Sequence, residues 1–97
     1  MLKKQNMNKE KKVKVTFVVA GNTDNVSVVG DFNQWDPSAD PLKKRSNGTR
    51  SASVVLEPNQ RYAFRYYKEC GEWFNDEAAD EYVVNDHGGE DCVVTTF

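Results

Sequence analysis

Acidic side chains, two tryptophans and a single histidine are the groups in this 97-residue chain with the means to do chemistry. A glycosidase needs two carboxylates facing each other across a sugar at roughly 5–10 Å, and acids scattered through loops set no such pairing. A Ser-His-Asp triad would have to use His87, which sits between Asp86 and Gly88 in a turn-like stretch, and no G-x-S-x-G elbow is present. The run Asp86-His87-Gly88-Gly89-Glu90-Asp91-Cys92 holds potential metal donors. It lacks both the paired C-x-x-C spacing of zinc sites and the pattern of a calcium loop, and reads as a tight acidic turn. Gly88-Gly89 precedes a strand and no G-x-x-x-x-G-K follows one, so no phosphate cradle is expected. These readings predict no catalytic group, no metal and no cofactor.

The aromatic residues are more informative. Trp35 falls in a loop after Gly30-Asp31-Phe32-Asn33, Trp73 follows a tight turn, and Arg65 and Tyr67 lie on the strand face opposite Phe64. Pyranose rings present flat C–H faces that stack on indole, while their hydroxyls bond to groups such as a guanidinium at the edge. Two tryptophans and an arginine therefore suit a sugar. The competing reading is that each tryptophan caps the edge of the core.

Positioning such groups falls to strands. Val13, Val15, Phe17 and Val19 alternate with Lys14, Thr16 and Val18, the two-residue period of a strand with one buried face. Gly21-Asn22-Thr23-Asp24 turns the chain into a second strand over 25–32, which a polar loop with Pro37 and Pro41 stops. Ser46-Asn47-Gly48 between extended segments predicts a hairpin whose second arm is 49–57. Pro58-Asn59 separates it from a strand over 61–69 with Tyr62, Phe64 and Tyr66 on one face. Trp73-Phe74, an acidic loop, Tyr82-Val83-Val84, a Gly88-Gly89 turn and a strand over 92–97 complete the chain. About seven short strands with no sustained helical spacing predict an all-β, immunoglobulin-like antiparallel sandwich. Val15, Phe17, Val28, Phe32, Val54, Leu56, Phe64 and Tyr66 are its expected core.

The charge is uneven. Six lysines fall in the first fourteen residues and no Lys or Arg follows Lys68, with a net charge of −2. Residues 1–11 show no apolar period and are expected to be a flexible basic tail, the domain occupying 12–97. Without interleaved aromatics that tail predicts no nucleic-acid binding. No apolar segment marks export or a membrane span, so the expectation is a cytoplasmic protein with no membrane partner, in which Cys70 and Cys92 are reduced.

Val26-Ser27-Val28-Val29-Gly30-Asp31-Phe32-Asn33-Gln34-Trp35-Asp36, then Pro41-Leu42, Tyr62-Ala63-Phe64-Arg65-Tyr66, Gly71-Glu72-Trp73 and Asp76 resemble the family 48 carbohydrate-binding modules. These early set domains stand at the N-terminus of isoamylases and glycogen-branching enzymes, and form the glycogen-binding domain of the AMP-activated protein kinase β subunit. The resemblance runs from about Lys12 to Phe97. It implies a non-catalytic module for α-1,4-linked glucans, gripped by Trp35, Arg65 and Trp73, with Tyr67, His87 and Asp91 as further candidates. Cys70 stands where the family has an Asp, and His87 and Asp91 where kinase-type members have an apolar residue and an Asn. Members fused to enzymes often keep the fold as a packing surface alone. The alternative reading is therefore an interaction module that docks on a separate glycan-metabolising enzyme.

Overall fold

A computed structural model describes residues 2–7, 11–20, 25–85 and 89–96. Nine strands form two antiparallel sheets: β1 (Leu2–Met7), β2 (Lys12–Ala20), β3 (Val26–Gly30), β4 (Lys43–Lys44), β5 (Thr49–Leu56), β6 (Arg61–Lys68), β7 (Trp73–Phe74), β8 (Glu81–Val84) and β9 (Glu90–Thr95). One sheet runs β1-β2-β5-β4 and the other β3-β6-β9-β8, with β7 also on β6. The expected all-β sandwich is thus the fold, with two strands more than expected. The turn read at 21–24 and the Gly88 half of the Gly88-Gly89 turn lie outside the described residues.

Strand alternation places the core between the sheets. Val13, Val15 and Phe17 of β2, Val26 and Val28 of β3, Phe64 and Tyr66 of β6, and Cys92 and Val94 of β9 are all buried, with Leu42 and Leu56. Phe17 packs edge-on against Phe64 with ring centroids 5.0 Å apart, and Tyr66 lies 5.2 Å from Phe74. Six of the eight expected core residues are buried. Phe32 and Val54 are only partly buried against the cluster, Phe32 because the chain leaves the sheet after Gly30. The hairpin forms as its Asn-Gly demands: Gly48 takes φ 83°, and Asn47 Oδ1 accepts the Thr49 amide at 3.2 Å.

The N-terminal expectation is corrected. Leu2–Met7, read as part of a loose tail, pairs antiparallel with β2 over its whole length, Leu2 opposite Phe17 and Met7 opposite Lys12. Leu2 packs on the core and Lys4 Nζ reaches across to Asp80 of the other sheet's β7–β8 connection. Four polar residues between Leu2 and Met7 hide the strand from any apolar period, because an edge strand is held mainly by its backbone ladder.

Candidate functional site

The segment after β3 shapes the first half of the site. A Cβ on Gly30 would lie 2.4 Å from the Ala63 carbonyl oxygen, so only glycine lets β3 approach β6 this closely. The chain then tightens into a 3-10 turn over Asp31–Asn33 instead of extending to residue 32. Asn33 causes the turn. Its Oδ1 accepts the Gly30 amide at 3.0 Å, and its Nδ2 donates to the Val28 carbonyl at 3.1 Å and to Asp40 Oδ2 at 2.8 Å. Gln34 and Trp35 follow with φ 55° and 56°, two successive left-handed residues that are not glycine. Each costs about 1–3 kcal/mol where it occurs, and the buried Asn33 bonds hold them there. The Trp35 indole nitrogen donates to Asp31 Oδ1 at 2.9 Å, while Asp31 Oδ2 accepts the Ala63 amide at 2.9 Å.

The second half comes from β6 and its neighbours. β9 pairs with β6 over residues 61–64 and β7 pairs with it at 66–67, so Arg65 stands at the junction between them. Asn75 closes that junction, accepting from Arg65 Nε at 2.8 Å and donating to the Glu90 carbonyl at 2.9 Å. Trp73 is opposite Tyr67 in the ladder, with ring centroids 4.7 Å apart, and remains 40% exposed. Beyond it Asp76 plugs into the core. Its Oδ2 accepts the Tyr66 hydroxyl at 2.6 Å and its amide donates to Cys92 Sγ at 3.1 Å, which fixes the end of the Trp73 arm.

A concavity of about 670 Å³ results, lined by Asp31, Trp35, Ala63, Arg65, Trp73, Asn85 and Asp91. Asn85 and Asp91 form its far wall, linked by a 3.1 Å bond from Asn85 Nδ2 to Asp91 Oδ1. One guanidinium, two carboxylates and two indoles thus line one open face, a surface able to stack flat rings and bond hydroxyls. Of the six residues expected at a site, Trp35, Arg65, Trp73 and Asp91 meet here. Tyr67 stands beside Trp73 on the same sheet face and does not line the concavity. His87 lies outside the described residues. Sequence reasoning gave no role to Asp31, Asn33, Asn75 or Asn85. The signal for the first two was their fixed spacing before Trp35; Asn75 and Asn85 carried none.

The profile of carbohydrate-binding module 48 (isoamylase N-terminal domain) matches residues 4–84, and the chain belongs to that family. The match begins inside β1, nearer the N-terminus than the expected boundary at Lys12. The chain is also similar to the 1,4-alpha-glucan branching enzyme GlgB of Deinococcus radiodurans, 47% identical over 53 residues, which are 53% of this chain and 8% of the enzyme. For the same enzyme of Salinibacter ruber the identity is 39% over 59 residues, 60% of this chain and 9% of that one. For that of Aquifex aeolicus it is 45% over 40 residues, 41% and 6% respectively. The matched stretch is less than a tenth of each of these relatives. No helix among the described residues is long and apolar enough to cross a membrane.

Proposed function

We propose that the chain is a non-catalytic module that binds α-1,4-linked glucans such as glycogen, starch or maltooligosaccharides. The observation that carries this reading is the convergence of Trp35, Arg65 and Trp73 on one open concavity. Trp35 and Trp73 stack on successive glucose faces, and Arg65, already oriented by Asn75, bonds hydroxyls with its remaining guanidinium nitrogens. Asp91 accepts a sugar hydroxyl at the far wall. Both Asp31 oxygens serve as acceptors within the fold, which suits holding the platform rather than transferring protons. The names of the related branching enzymes support α-1,4-glucan as the ligand class.

The test is a titration with maltoheptaose and β-cyclodextrin followed by amide shifts. An open platform desolvates little, so Kd on the order of 10–1,000 µM is expected, with shifts at the two indoles. No shift at millimolar maltoheptaose would leave the alternative, a module of the same fold that docks on a separate glycan-metabolising enzyme.

A further inference from the structure

The outer face of the sheet β1-β2-β5-β4 lies on the opposite side of the sandwich from the Trp35–Trp73 concavity, and register decides what it displays. Lys3 stands opposite Thr16, Lys14 between Gln5 and Val55, and Lys43 opposite Ser51. Lys12 shares the face, and Arg45 joins it through a 2.7 Å bond from its Nε to Ser51 Oγ. Against these five cations stands a single carboxylate among the described residues, Glu57, paired with Lys12 at 2.8 Å. Lys3, Lys14 and Lys43 are exposed and form no ion pair among the described residues.

The basic surplus is local, since the whole chain carries a net charge of −2. The acids of the far sheet sit across the sandwich from this face, and along the path through solvent ions screen charges more than about 8 Å apart. Between the cations lie small hydroxyls and Val55, which is 47% exposed. No aromatic side chain from these four strands lies on this face, so it offers no stacking platform for bases. A flat surface with an apolar residue among cations matches an acidic protein surface, with charge guiding encounter and register.

We propose that this face docks an acidic protein partner while the concavity on the other face stays open, so that the domain can join a protein to its ligand. The docking does not depend on the glucan reading. The test uses the whole chain and labelled polyglutamate as probe. Binding is expected at about 50 mM salt and should weaken at least tenfold by about 300 mM. Lys14→Glu with Lys43→Glu should weaken it at least tenfold, and the milder Lys14→Gln with Lys43→Gln in the same direction. Arg61→Glu, on the other sheet, should leave it unchanged, and a melting curve for each variant checks the fold. Saturating β-cyclodextrin should not compete; failure of β-cyclodextrin to bind at all would count against the glucan reading alone. Absence of polyglutamate binding at low salt, equal loss in Arg61→Glu, competition by β-cyclodextrin, or tighter binding of duplex DNA than of polyglutamate would each overturn the proposal.

Discussion

Asp31 Oδ1 accepts the indole N–H of Trp35 at 2.9 Å, tying the ring to the residue four positions before it. Because the other Asp31 oxygen is bonded to the Ala63 amide, the indole is referenced to β6, the strand that carries Arg65. Asp31→Ala should therefore weaken β-cyclodextrin binding several-fold by freeing the Trp35 ring, with little change in melting, since the bond is exposed. Calorimetry beside a thermal scan checks this; unchanged affinity would remove Asp31 from the site.

Trp35→Ala and Trp73→Ala should each lose roughly 1–3 kcal/mol of glucan affinity, by analogy with bases stacked on aromatic rings, or about five- to 150-fold. Arg65→Ala should cost about 1 kcal/mol, the net worth of one hydrogen bond to a neutral hydroxyl. The fold should survive all three. If either tryptophan variant unfolds, the rings are edge caps and the platform reading fails.

Asn33→Ala should behave differently, losing stability and ligand together. Three hydrogen bonds end on this buried side chain, and groups left unpaired by truncation cost about 1–3 kcal/mol each. The melting temperature should fall by about 10 °C or more, since 1 kcal/mol moves it by about 4–8 °C in a domain of this size. A folded, fully stable Asn33→Ala protein would mean that some other residue sets the Trp35 loop.

Deleting residues 1–7 should lower the melting temperature clearly, because β1 brings a full ladder, Leu2 packing and the Lys4–Asp80 ion pair. Partial burial works against ionisation of Asp80. The Lys4 ammonium and then the Thr95 amide outweigh it and hold the carboxyl below its usual range. A depressed folded pKa contributes stability that is present above the unfolded value of about 3.9 and is lost as pH falls through the lower folded value. Lys4→Met should therefore flatten the acid limb of a stability–pH curve; an identical limb in the variant would rule the pair out as a contributor.

Thiol reactivity should split between the two cysteines, both of which are free: Cys70 is exposed and Cys92 buried. Burial pushes the Cys92 thiol up to about 11, and burial, then the Asp76 bond, push the Tyr66 phenol far above its usual value. A thiol reagent should titrate one group in the native protein and the second only on unfolding. Raised folded pKa values give stability that is intact below the unfolded value, about 8.5 for a thiol, and drains as pH climbs toward the folded one. A domain equally stable at about pH 8 and about pH 11 would refute the burial of these groups.

Alternation and turn chemistry were enough to read β2, β5 and β6, the Asn47-Gly48 hairpin and most of the core, because those elements are stabilised by side chains whose period is visible along the chain. Trp35, Arg65 and Trp73 could be picked out as candidates because they fall outside the apolar period of the strands, and the fold brings the three to one concavity. Tertiary structure decided the rest. Leu2–Met7 is a strand because β2 offers it an unpaired edge, and its own polar sequence says nothing of that edge. Gly30 and Asn33 turn the chain out of the sheet because β6 lies behind them. Asn75 joins Arg65 to Glu90 only because β7 and β9 meet end to end along β6, a contact between segments 15 residues apart that no local pattern encodes.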